Sequence, residues 1–229
     1  MTVVAKIYPV DRGPSAVGLV GPENMRKCRP SSARFAETVD RISFVPERGG
    51  PGPRRCSAAR EVHMNIDHIL RTFNACEVEY LLIGGMNFLL RHEPVLTYDI
   101  DFWIRDTTAN LARCDMAMRQ LDASWGPTED SWRPVAEQAG WLTRQSVFCL
   151  TSPAGAIDIF RAVTGLPSWE SCRERAVVGQ TAAGVEYRGL SDEDMIACQL
   201  ALPEGQRRQS RIEALRRAIS MSNQQGRHT

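Results

Sequence analysis

Lysine is nearly absent from this chain of 229 residues: Lys6 and Lys27 are the only two. Beyond position 27 all permanent positive charge is arginine, which grips phosphate and carboxylate well but is not a readily deprotonated base. No apolar run approaches the roughly 20 residues that a membrane-spanning helix needs. The first residues lack a basic start followed by an unbroken apolar core, so no signal peptide is expected and the expected location is the cytoplasm. There is no C-x-x-C pair. The seven cysteines are odd in number and scattered, which argues against a disulfide framework and against paired zinc ligands. His63, His68, His92 and His228 show no metal-ligand spacing, and Ser152 and Ser191 have no hydrolase-like partners. No internal repeat is visible.

What is present divides in two by charge. Up to Glu61 there are 11 Arg and Lys against 6 Asp and Glu, a net of +5; from Met64 onward there are 17 against 21, a net of −4. The acidic body argues against a broad electrostatic grip on duplex nucleic acid. Residues 1–62 are rich in Pro, Gly, Ser and Arg without helical or strand period, so they read as a disordered basic leader, upstream of a domain opening at Met64. Residues 63–222 read as one domain, and 223–229 as a frayed tail.

Within that domain the pattern is mixed α/β. Ile66, Ile69, Leu70 and Phe73 recur at helical spacing. "EYLLIGG" is a short apolar strand closed by glycine, "MNFLLRHE" a helix and "TYDIDFWI" an alternating strand. A helix follows with Leu111, Cys114, Met118 and Leu121 on one face. "SVFCLTSPAGAIDIF" reads as a hairpin, "PSWESCRERA" as a short helix and "VEYRG" as a strand. Ser191 caps a helix, with Asp194 placed for a capping box. An arginine-rich last helix runs from Gln206 to about Met221. The expected architecture is a small mixed sheet flanked by helices, set against one side, with a short helical C-terminal part.

Asp99 and Asp101 are the anomaly. Residues two apart on a strand lie roughly 6.6 Å apart on one face. Tyr98, Ile100, Phe102 and Ile104 take the other face, which is apolar and belongs to the core. Two neighbouring carboxylates are tolerated if water bathes them or a cation sits between them. "AIDIF" supplies a third acid, Asp158, facing away from Ile157 and Ile159. If that strand pairs beside the first, three carboxylates converge. Oxygen ligands at that density suit Mg2+ or Mn2+, which also take phosphate oxygens. Gly84 and Gly85, between a strand and a helix, let backbone N–H groups approach phosphate at the positive helix end.

The order strand, Gly-Gly, helix, D-x-D strand, helix, hairpin strand with one more Asp resembles the nucleotidyltransferase fold of DNA polymerase β type, most of all the AbiEii-type toxins and minimal nucleotidyltransferases. The resemblance covers about residues 65–219. It implies a glycine motif at Gly84 and Gly85, metal ligands at Asp99 and Asp101, and Asp158 as third ligand or base. Asn87 and Arg161 join the glycines as candidate nucleotide-binding residues. The implied reaction moves a nucleoside monophosphate from a nucleoside triphosphate to an acceptor hydroxyl on a protein, a tRNA or a small molecule, with Mg2+ or Mn2+ as cofactor. A toxin–antitoxin setting would add a cognate partner protein; no membrane partner is implied. Two features depart from the pattern. Gly85 stands where the family often has serine, and Gln199, Arg207, Arg208 and Arg211 occupy the region of an expected lysine. The rival reading is a module that binds nucleotide or a partner protein without turnover. Trp103, on the aspartate face, is a candidate to border a base. The stripe Arg207, Arg208, Arg211, Arg216 and Arg217 reads by default as a solvated helix face.

Overall fold

The structure, a computed structural model, describes residues 64–128 and 131–225. The leader 1–62 and the last four residues, read from sequence as disordered and frayed, lie outside the described residues.

Helix α1 (Ile66–Ala75) starts where Asn65 Oδ1 accepts the backbone N–H of His68 at 3.0 Å, and its Ile69, Leu70 and Phe73 are fully buried. Strand β1 (Tyr80–Ile83) is buried at all four positions, as a strand covered on both faces requires. Helix α2 (Gly84–Arg91) follows without an intervening residue, then β2 (Asp99–Ile104). Helix α3 (Thr108–Gln120) is capped by Thr107, whose hydroxyl accepts from the Asn110 N–H. Two short strands, β3 (Ser124–Trp125) and β4 (Arg133–Pro134), precede the expected hairpin of β5 (Val147–Ser152) and β6 (Gly155–Phe160). Helix α4 (Trp169–Glu174), β7 (Val177–Gln180), β8 (Glu186–Gly189), α5 (Asp192–Leu200) and α6 (Gln209–Gln225) complete the described chain.

All eight strands form one mixed sheet in the order β4-β3-β5-β6-β2-β1-β8-β7. β2 pairs antiparallel with β1 and parallel with β6, so both lie at its centre. The mixed α/β class is therefore as the sequence pattern predicts. The helices are not confined to one side. Ile100, Phe102 and Ile104 pack with α1 and α3 in one cluster, while Leu81, Ile83, Trp103 and Phe160 pack with side chains of α2, α4, α5 and α6 in a second. The physical reason is the apolar character of both faces of β1, which demands a cover on each.

Four local readings need amendment. Tyr98 is 42% exposed and precedes β2 rather than extending its core face. β7 is a strand where the sequence pattern showed none; its residues alternate between half-buried and exposed at the sheet edge, too weak a signal to stand out. The capping box is half formed. Ser191 Oγ accepts the Asp194 N–H at 3.1 Å, but Asp194 Oδ1 pairs with Arg175 at 2.8 Å. The last helix begins at Gln209 and reaches Gln225, past the expected fraying point.

Candidate functional site

The parallel register of β2 and β6 places Asp101 directly beside Asp158. Both are on the strand face opposite Ile100 and Ile157, because side chains alternate. Asp99 lies two residues before Asp101 on the same face. One carboxylate oxygen from each of the three lies within 4.8 Å of the others. Asp101 and Asp158 are buried and Asp99 is half-buried. The convergence that the sequence made conditional on strand pairing is present.

The glycine turn is fitted to these acids. Ile83 is the register partner of Asp101 across β1 and β2, so the residue after it, Gly84, sits against that carboxylate. Gly84 has φ +70°, and a Cβ there would stand 2.0 Å from Asp101 Oδ2. Gly84 also opens α2, whose N-terminus has no side-chain cap and no acid in its first turn. The partial positive charge of that helix end is left to neighbouring negative groups.

Gly85 is close to a residue the sequence reading passed over. A Cβ on Gly85 would lie 2.6 Å from Thr97 Oγ1. The Thr97 hydroxyl is 3.1 Å from Asp99 Oδ1 and can donate to it. Thr97 thus sets a hydroxyl beside Gly85 and directs it at Asp99.

The other predicted residues go elsewhere. Asn87 is fully buried, and its Nδ2 donates to the Leu190 carbonyl and to Met195 Sδ, each at 3.1 Å. It fastens α2 to the start of α5 from within the core, so it is not a nucleotide-facing group. Arg161 lies three residues beyond Asp158, about 10 Å along the strand direction. Its Nε and Nη2 bond Asp106 Oδ1 at 2.9 and 2.8 Å, and its Nη1 donates to the Leu142 and Gln145 carbonyls. It closes the far end of β2 and β6 and is not a phosphate ligand. Trp103 does share the aspartate face, but it is 4% exposed and its carbonyl accepts from Trp169 Nε1. It is core, not the wall of a base pocket. His92 is part-buried and meets Asp192 beside Arg91, binding α2 to α5.

The C-terminal arginines do not form one solvated face. Arg216 and Arg217 are exposed, Arg207 and Arg208 half-buried, and Arg211 is 7% exposed. Burial pushes the Arg211 guanidinium down to about 10. The neighbouring Arg208 adds to that, and the Asp101 carboxylate partly opposes it. Burial also lowers Arg208, with Asp99 opposing. Both arginines therefore lie close enough to the acids to feel them. The signal for Arg211 was in the sequence: 211, 212 and 215 share one face of α6, and Ile212 and Leu215 mark it as buried. Gln199, in the region of the missing lysine, is itself buried and accepts the Arg208 backbone N–H at 3.0 Å.

No protein-family model matches the chain, and no curated protein matches it. Among the described residues no helix is long and apolar enough to cross a membrane.

The donor set is all oxygen, three carboxylates at one point, with a glycine turn whose missing Cβ leaves room at Asp101. That chemistry fits a hard divalent cation such as Mg2+ or Mn2+, which keeps waters and accepts phosphate oxygens.

Proposed function

We propose that this protein is a metal-dependent nucleotidyltransferase. The observation that carries the reading is the meeting of Asp99, Asp101 and Asp158 on adjacent parallel strands, beneath a glycine turn that opens a helix. Asp99 and Asp101, with Asp158 as third ligand, would hold Mg2+ or Mn2+. Such an ion, when bound, supplies Lewis-acid neutralisation of the charge on the phosphates.

The residues of the chain have the remaining tasks. The uncapped N-terminus of α2 favours negative charge and accommodates phosphate oxygens. Asp158 accepts the proton of the acceptor hydroxyl. The freed oxygen forms a bond to the α-phosphorus, and the bond from that phosphorus to its bridging oxygen breaks. Pyrophosphate leaves with the electron pair, and the nucleoside monophosphate stays on the acceptor. Asp158 returns its proton to water. The acceptor is a hydroxyl on a protein, a tRNA end or a small molecule, and a cognate partner protein belongs to the same reading.

The chain without lysine beyond Lys27 favours one second reading: a module of the same fold that holds nucleotide or a partner protein without turnover. One experiment separates them. The full chain is incubated with each labelled nucleoside triphosphate, Mg2+ or Mn2+, and a cell extract as acceptor pool. Label that moves into protein, RNA or a small molecule and is lost in Asp101→Asn supports transfer. Metal-dependent nucleotide binding without transferred label leaves the binding module.

A further inference from the structure

The three carboxylates meet at one point, but they are not enclosed alike. Asp101 and Asp158 are buried, and Asp101 fills the space beside the missing Cβ of Gly84. Asp99 is half-buried and is the first residue of β2. A less enclosed carboxylate has more rotamer freedom, and that freedom is lost when it ligates an ion. A site of this kind binds well only if a neighbouring group holds the carboxylate in the ligating orientation beforehand.

Thr97 stands where such a group is needed. Its Oγ1 lies 3.1 Å from Asp99 Oδ1 and 3.3 Å from the Asp99 carbonyl oxygen. A threonine hydroxyl has one proton to donate. The nearer acceptor, Oδ1, is also the stronger one, because an ionised carboxylate makes the shorter and tighter bond. One bond of this kind fixes the rotation of the carboxylate and leaves lone pairs on it for a cation.

Thr97 is in turn located by the glycine turn. A Cβ on Gly85 would stand 2.6 Å from Thr97 Oγ1 and 3.0 Å from Thr97 Cβ. Gly85 is buried in the first turn of α2, so the threonine side chain is seated in the space that a larger residue at 85 would fill. The two glycines therefore serve the two aspartates of the D-x-D strand, one each. Gly84 packs directly against Asp101, and Gly85 reaches Asp99 through Thr97.

We propose that Thr97 is a positioning residue for the metal site, with Gly85 as its seat: its hydroxyl holds Asp99 in the ligating orientation before the ion arrives. This rests on the reading of the three acids as ligands of Mg2+ or Mn2+. Thr97 acts through Asp99 and need not touch the ion. Loss of the hydroxyl should weaken metal binding in a chain that stays folded, and the effect should vanish once position 99 has no carboxylate.

The test is a paramagnetic titration of the full chain with Mn2+, with circular dichroism to establish that each variant is folded. Thr97→Val keeps the shape of the side chain and removes the hydroxyl; it should weaken Mn2+ binding about tenfold, the lower end of the range for losing the partner of a metal ligand. Thr97→Ser keeps the hydroxyl and should restore most of the affinity. In the Asp99→Asn background, Thr97→Val should weaken binding no further, since the carboxylate it held is gone. A merely structural threonine would instead lower the melting temperature and add its effect in either background. Positioning is overturned if folded Thr97→Val binds Mn2+ as the wild type does, if Thr97→Ser is as weak as Thr97→Val, or if Thr97→Val has its full effect on Asp99→Asn. The readings fail separately. Loss of Mn2+ binding in Asp101→Asn, with none in Thr97→Val, sinks the positioning role and leaves the metal site. Hydroxyl-dependent Mn2+ binding without label transfer sinks the transferase and leaves the positioning role. Unchanged binding in Asp101→Asn and Asp99→Asn removes the metal site and the positioning role together.

Discussion

A Cβ on Gly84 would fall 2.0 Å from Oδ2 of Asp101, well inside contact distance. The turn and the carboxylate are thus fitted to each other: the acid occupies the space that any other residue at 84 would need. The positive φ of Gly84 adds a second requirement for glycine at the same position.

Gly84→Ala should therefore damage fold and site together. The left-handed backbone alone costs about 1–2 kcal/mol for a residue with a Cβ, and displacement of Asp101 adds to it. A lower melting temperature together with weaker Mn2+ binding is expected. A variant that matched the wild type in both would remove the link between turn and acid.

Asp99→Asn and Asp101→Asn should each weaken Mn2+ binding by about tenfold or more, because each removes a charged oxygen from a three-carboxylate set. Paramagnetic titration of the folded variants measures this. Unchanged Mn2+ affinity in both would mean that the acids are not the metal site.

Gly85→Ser introduces a Cβ 2.6 Å from Thr97 Oγ1, and contact of this kind typically costs about 1–3 kcal/mol. Thr97→Gly removes the obstruction. In a double-mutant cycle the pair should be more stable than the sum of the single changes predicts. Additive effects would show that the two positions do not compete for the same space.

Arg211 should be a stability cost. Burial holds its pKa down to about 10, below the ordinary 12.5, so the folded state binds the proton less tightly than the unfolded state. The penalty is fully present below pH 10, where both states are charged. It lessens only as pH rises from about 10 toward 12.5. Between pH 6 and 9 this group therefore gives no pH dependence. Arg211→Met should raise the melting temperature across that window, by the equivalent of about 1 kcal/mol or more. A lower melting temperature would show that Arg211 is a structural brace.

Buried thiols should resist alkylation. Burial, reinforced by the Asp194 carboxylate, pushes Cys172 up to about 12; it drives Cys114 and Cys198 well above the ordinary range and raises Cys76 less. The reactive thiolate is scarce at pH 8 in all four. Iodoacetamide followed by peptide mass spectrometry should find them unmodified until the chain is unfolded. Rapid native-state modification of Cys114 or Cys198 would contradict the packing around α3 or α5.

Alternation by itself determined that Asp99 and Asp101 share a face, that Asp158 faces away from Ile157 and Ile159, and that a glycine turn precedes a helix. These are local facts, written in a period of two and in the conformational freedom of one residue type. What α6 does with its arginines was written there only in outline. Ile212 and Leu215 showed which face is buried, yet charge at 208 and 211 argued for solvent. Tertiary structure alone decided that Asp101 has Asp158 for its neighbour, since register between strands more than 50 residues apart is set by packing on both faces. It also decided that Arg161 and Asn87 are occupied elsewhere, because Asp106 and the Leu190 carbonyl reach them only once the sheet is assembled. The same assembly brings Arg211 over Phe88. A single chain's periodicity names the faces; only the closed fold says which faces meet.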